Sequence, residues 1–292
     1  MGIYDFNGKR VDRKPVFVGA IMGTNTDENR FLAMKQLLDI GMKRFTDPNC
    51  EIAASEFTLA SAGAVCLLPE INTALYESHP IDFLWTKNED TQYKPASVTK
   101  ALTVITGLPY VTNLADTVTI QEDDVIGGSG NYFSAGDVLT VQDLIYAMML
   151  PSSNTTGSAY ARYVGKKLLA DDTATLQQSL TAFYAAMAQK SAGIGLENSV
   201  WTSVIGGRDT TLTTAADIVR IGVAACSHNA LARIWNKKEY TINIRGTNPR
   251  QQLIETTVTN ETLEADYYIY GGKTGQSENN RALLIVAEPK NY

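Results

Sequence analysis

The sequence predicts an α+β protein in which a sheet is assembled from both ends of the chain and a block of helices is inserted between them. Three observations carry this. An apolar run rich in β-branched residues, PVFVGAIMG at 15–23, leads into a helical periodicity over 27–45, where Phe31, Met34, Leu38 and Met42 share a face. Helical spacing then dominates from 97 to about 228. Period-two alternation returns at 240–244 and 267–270, and an apolar run at 282–287 follows.

Taken in order, residues 62–69 and 73–76 read as two strands joined by Glu70-Ile71-Asn72, a hairpin. Thr140 is positioned to cap a helix whose stripe is Val141, Leu144, Ile145, Met148 and Met149. Thr214 heads a similar segment with Ile218 and Ile221. No repeat, low-complexity tract or Pro/Gly/Ser linker divides the chain. Residues 1–292 therefore read as one domain of two lobes: a sheet lobe at about 1–96 and 236–292, and a helical lobe at about 97–235. A cleft is expected where they meet.

Composition narrows the possible chemistry. With a formal net charge of −6, the chain lacks the basic excess that nucleic-acid binding uses. At 44% hydrophobic and 19% charged it can fill a core. No apolar run approaches the roughly 20 residues that span a bilayer, and the polar start MGIYDFNGKRVDRK does not read as a signal peptide. The 3 cysteines, Cys50, Cys66 and Cys226, lack metal-ligand spacing and read as small buried hydrophobes. With only 2 histidines, His79 and His228, a metal site is short of ligands, and a serine nucleophile needs another base.

That base is available three residues from a serine. Ser97-Val98-Thr99-Lys100 follows Pro95-Ala96, so a helix is expected to start at or just after Ser97. Positions 97 and 100 then lie on one face with Cβ atoms roughly 5–6 Å apart, which lets the amine reach the hydroxyl. To accept a proton the amine must be neutral, and burial or a nearby cation lowers its pKa to that end. Taken alone the pair is commonplace on surface helices. Two further elements give it weight: Ser152-Ser153-Asn154 in a turn between two helices, and Lys273-Thr274-Gly275 after a Tyr-rich strand. There Gly275 lets a ligand backbone lie close, Thr274 offers a hydroxyl and Lys273 a charge.

In this order the three elements resemble the S-x-x-K, S-x-N and K-T-G set of the penicillin-recognising serine enzymes. Within that superfamily the chain is most similar to the low-molecular-mass D-alanyl-D-alanine carboxypeptidases. The similarity runs through PASVTKALT at 95–103, LTVQDLIYAMMLPSSNTTGSAYARYVG at 139–165, GLENSVWTSVIGGRDTTLTTAADIVRIG at 195–222 and TNETLEADYYIYGGKTG at 259–275. It implies a β-lactamase/transpeptidase-like fold, a mostly antiparallel five-stranded sheet flanked by helices. It further implies Ser97 as the acylated nucleophile, Lys100 as its base, Ser152 and Asn154 as proton relay and substrate holders, and Lys273 as a positive charge that also depresses Lys100. Thr274 would meet the substrate carboxylate, Gly275 would line the substrate, and the N–H groups of Ser97 and Gln276 would form the oxyanion hole. The implied reaction is cleavage of the terminal D-Ala-D-Ala bond of peptidoglycan stem peptides, with β-lactams as covalent inhibitors, no metal and no cofactor. The implied location is extracytoplasmic, in the cell envelope or secreted.

Two departures stand out. Thr259 occupies a position where related sequences carry a carboxylate-binding arginine, for which Arg245, Arg250 or Arg281 are the candidate substitutes. The strand and long helix that the family has after its K-T-G strand resemble residues 16–45 here, so the chain reads as circularly permuted. Its strands at 16–22 and 282–287 should then be antiparallel neighbours. Other readings of the same motifs are a β-lactamase, which would need a carboxylate that residues 155–230 do not offer in the usual Glu and Asn spacing, a D-amino-acid esterase or amidase, and a pseudoenzyme that only binds peptidoglycan.

Overall fold

A computed structural model describes residues 14–69, 80–207, 210–278 and 280–292. Strand β1 (Phe17–Thr24) leads into helix α1 (Asp27–Thr46), whose N-cap Thr26 accepts from Asn29 N–H. Strands β2 (Ala62–Leu67) and β3 (Phe83–Lys87) follow. The middle of the chain forms α2 (Thr99–Gly107), β4 (Thr117–Thr119), β5 (Asp137–Thr140), α3 (Val141–Met149), α4 (Asn154–Leu169), α5 (Leu176–Gly193), α6 (Ala215–Cys226) and α7 (Asn229–Trp235). Strands β6 (Glu239–Gly246) and β7 (Arg250–Glu255), helix α8 (Glu261–Asp266) and strands β8 (Tyr267–Gln276) and β9 (Arg281–Pro289) complete it.

The main sheet has five strands in the order β3-β2-β1-β9-β8, every neighbour antiparallel. Strand β1 is central and buried on both faces, which is why its sequence is continuously apolar rather than alternating. On one face Phe17, Ile21, Leu283 and Ile285 meet Met34, Leu37 and Leu38 of α1. On the other, Val18, Ala20, Leu284 and Val286 meet Val98 just ahead of α2, Ala101 of α2, and Ile218 and Ile221 of α6. Each Val, Leu, Ile, Phe or Met among them contributes about 1.5–3 kcal/mol by leaving water, so both faces hold the sheet between helical layers. The expected neighbours are in place: β1 pairs with β9 from Phe17 opposite Ala287 to Ile21 opposite Leu283.

One expected feature lies outside the described residues and one observed feature differs from the sequence reading. The expected strand at 73–76 lies outside the described residues, and on the side away from β1 strand β2 pairs with β3, in register from Gly63 opposite Lys87. A second antiparallel sheet of four strands, order β4-β5-β6-β7, was not expected. Its strands β4 and β5 are 3 and 4 residues long, too short to show alternation, and they sit inside the segment read as helical. That sheet takes one pair of strands from the segment 97–235 and one pair from the segment 236–292.

Candidate active site

The turn that carries Ser97 is built from backbone. Pro95 is helical at φ −72°, Ala96 is left-handed at φ 47°, and Ser97 and Val98 complete a 3-10 turn that runs into α2. The helix thus begins just after Ser97, as expected. A left-handed alanine costs about 1–2 kcal/mol, so the surroundings must hold it. Two glycines do. A Cβ on Gly206 would stand 1.8 Å from the Ala96 carbonyl oxygen, and one on Gly275 would stand 2.3 Å from that of Pro95. Only bare backbone fits on either side of the turn. Strand β8, at the open edge of the main sheet, thereby brings the third element against the first.

Around this turn the three elements converge. Lys100 Nζ lies 2.7 Å from Ser97 Oγ, 2.9 Å from Asn154 Oδ1 and 3.4 Å from Ser152 Oγ. Lys273 Nζ donates to Ser152 Oγ and to the Thr274 carbonyl oxygen, both at 2.9 Å. Ser152 is held at φ 67° between α3 and α4, and its hydroxyl stands between the two amines. Ser97 is half-buried, Thr274 buried and Gln276 exposed. All eight expected residues therefore lie on the Ser97 turn and the start of α2, on the Ser152 turn and the start of α4, or on β8, and the side chains of Ser97, Lys100, Ser152, Asn154 and Lys273 form one hydrogen-bonded chain.

Both lysines are fully buried. Burial pulls the Lys100 amine down to about 7, because an ammonium removed from water loses its hydration. Lys273 is also lowered, first by burial, then by the charges of Lys100 and Arg30. Two ammonium groups this close to one hydroxyl oppose each other, so the pair holds fewer than two protons near neutrality. Burial, rather than Lys273, is what lowers Lys100 most. The Cys66 and Cys226 thiols are pushed up to about 12 by burial, which fits their reading as packing residues. Among the described residues, no group of three or more His, Cys, Asp or Glu could hold a metal ion.

Some functional neighbours were not foreseen. Asn154 Nδ2 donates to Gly127 O at 2.9 Å and its backbone N–H to Ser129 O at 3.2 Å, so a Gly-rich loop braces the second element. Arg30, buried on α1, donates to the carbonyl oxygen of Gly275 at 3.3 Å and pairs with Asp27 at 3.0 Å. Of the three candidate arginines, Arg250 is engaged by Asp137 at 2.8 Å, Arg281 by Asp27 at 3.3 Å, and Arg245 is exposed on β6. The arginine that touches the third element is Arg30. One arginine in an amphipathic helix reads as a solvated side chain, so the sequence carries no signal for it.

A serine hydroxyl against a buried amine, with a second serine, an amide and a second lysine around them, is an arrangement suited to serine acyl transfer with an amine as the base. Comparison with known proteins specifies the kind. The peptidase S11 profile, D-alanyl-D-alanine carboxypeptidase, matches residues 76–291, and the chain belongs to that family of serine-type carboxypeptidases. A D-alanyl-D-alanine carboxypeptidase of Streptomyces sp. strain K15 is 27% identical over 246 residues, 80% of this chain and 78% of the relative. The crystal structure of the Streptomyces K15 DD-transpeptidase superposes with a TM-score of 0.62 at 23% identity, covering 75% of this chain and 87% of that one. A D-alanyl-D-alanine carboxypeptidase from Mycobacterium tuberculosis H37Rv gives a TM-score of 0.55 at 21% identity, covering 72% and 79%. These structures share the fold, and the antiparallel sheet flanked by helices is theirs as well.

Proposed function

We propose that the chain cleaves the terminal D-Ala-D-Ala bond of peptidoglycan stem peptides through an acyl-enzyme on Ser97. The observation that carries this is the buried Lys100 amine 2.7 Å from the Ser97 hydroxyl, with an amine pulled down to about 7. Neutral Lys100 takes the Ser97 proton as Oγ bonds to the penultimate carbonyl carbon. The N–H groups of Ser97 and Gln276 hold the oxyanion. Lys100 gives that proton up through Ser152, between the two amines, to the leaving nitrogen as the C–N bond breaks and D-alanine departs, and is neutral again. Water, deprotonated by Lys100, then hydrolyses the ester and restores Ser97. Asn154 holds the substrate amide, Lys273 supplies positive charge, and Thr274 binds the terminal carboxylate beside Gly275.

The same chemistry makes β-lactams acylating inhibitors. Their adduct hydrolyses slowly on this reading, because residues 155–230 hold no Glu followed four residues later by Asn, the carboxylate arrangement a β-lactamase would turn on the water. The substrate places the action outside the cytoplasmic membrane; among the described residues no helix is long and apolar enough to cross one. Intact-protein mass after incubation with a penicillin, beside D-alanine release from a D-Ala-D-Ala peptide, tests the proposal. Wild type should gain one adduct and release D-alanine, and Ser97→Ala should do neither. A wild-type chain that does neither would end it.

We also propose that residues 1–292 form one catalytic unit in circularly permuted order. In support, β1 pairs with β9, α1 packs on the same sheet, and residues 16–45 lie ahead of the range that the family profile matches.

A further inference from the structure

We infer that Thr257 is a positioning residue for the substrate carboxylate, acting through the hydroxyl of Thr274; the inference rests on the functional reading above. Thr257 lies between β7 and α8 and is tied to both remaining elements of the site. Its backbone N–H donates to the carbonyl oxygen of Leu150, two residues before Ser152, at 3.2 Å. Its Oγ1 stands 2.7 Å from Thr274 Oγ1. Among the described residues, that is the one hydrogen bond either hydroxyl makes within the protein.

A hydroxyl has one proton and two lone pairs. If Thr274 gave its proton to Thr257, it would turn lone pairs toward the cleft and repel an arriving carboxylate. If Thr257 donates instead, the Thr274 proton is free to point at the carboxylate. The two hydroxyls then line up as a relay ending on a negative charge, where each bond strengthens the next. Thr257 is exposed, so water satisfies its remaining lone pairs. Thr274 is 7% exposed, and its carbonyl oxygen is already taken by Lys273 Nζ at 2.9 Å. Thr257 therefore sets which way the Thr274 hydroxyl faces. Its backbone tie to Leu150 keeps that setting in step with the Ser152 turn.

The test compares acylation by a penicillin free acid and by its methyl ester, which lacks the carboxylate charge. Rates come from intact mass against time for wild type, Thr257→Val and Thr257→Ser. Wild type should prefer the acid. Thr257→Val should shrink that preference about tenfold, the scale of one lost hydrogen bond to a charged group. Thr257→Ser, which keeps the donor, should retain it within about twofold on the same scale. Equal slowing with acid and ester, or an unchanged preference in Thr257→Val, would overturn the inference by leaving Thr257 a structural role or none. Wild type that takes no adduct from either compound overturns the functional reading, and this inference with it.

Discussion

Acylation of Ser97 should switch on with rising pH through about 7. The sign follows from the direction of the Lys100 shift: burial lowers the amine from 10.5 to about 7, so it sheds its proton earlier and becomes a base near neutrality. With that value about 90% of the sites are neutral at pH 8 and about 1% at pH 5, so the rate should fall roughly 100-fold between them. An exposed lysine at 10.5 would leave about 0.03% neutral at pH 7. The assay is the pseudo-first-order rate of penicillin adduct formation, by quenched intact mass, from pH 5 to 9. Lys273→Met adds a directional check. Removing a cation beside Lys100 can leave its titration in place or move it to higher pH. A wild-type rate that is flat from pH 5 to 8, or that still climbs tenfold per unit at pH 9, would refute a base tuned by burial, and a downward move in Lys273→Met would refute the like-charge coupling.

Two further outcomes are expected. Gly206→Ala puts a Cβ 1.8 Å from the Ala96 carbonyl oxygen at a φ of +78°, so the melting temperature should drop and adduct formation should slow at least about tenfold; unchanged values would mean the nucleophile turn is not clamped there. A reordered chain with residues 14–46 moved behind Tyr292 through a short linker should fold and take the same adduct, because Lys14 Nζ already reaches Lys290 O at 3.0 Å. An insoluble or unreactive product would count against the permuted reading.

What the sequence disclosed followed from local physics. The Ser97 and Lys100 pairing needs only helical spacing, the Thr140 cap only a hydroxyl before an apolar stripe, and the central strand only its unbroken apolar run. The cap is seen as Thr140 Oγ1 accepting from Asp143 N–H at 3.0 Å. What stayed hidden depends on contacts between distant segments. Arg30 reaches Gly275 across 245 positions, and Thr257 meets Thr274 only because the stretch before α8 folds back on β8. Strands β4 and β5 are recruited by pairing with each other and with β6, not by their own pattern. The proline and alanine before Ser97 suggested a helix start, yet the left-handed Ala96 comes from glycines that are neighbours only in space.

The position of β1 bears on how the molecule is made. It is the first described strand to leave the ribosome and it sits at the middle of its sheet, with Phe17 opposite Ala287. Its unpaired backbone edge on that side has no mate until the chain has been synthesised through Ala287. Such distant pairing raises contact order, which slows folding and prolongs exposure of a sticky strand. Until then α1 and β2 are the nearest cover available to the nascent strand.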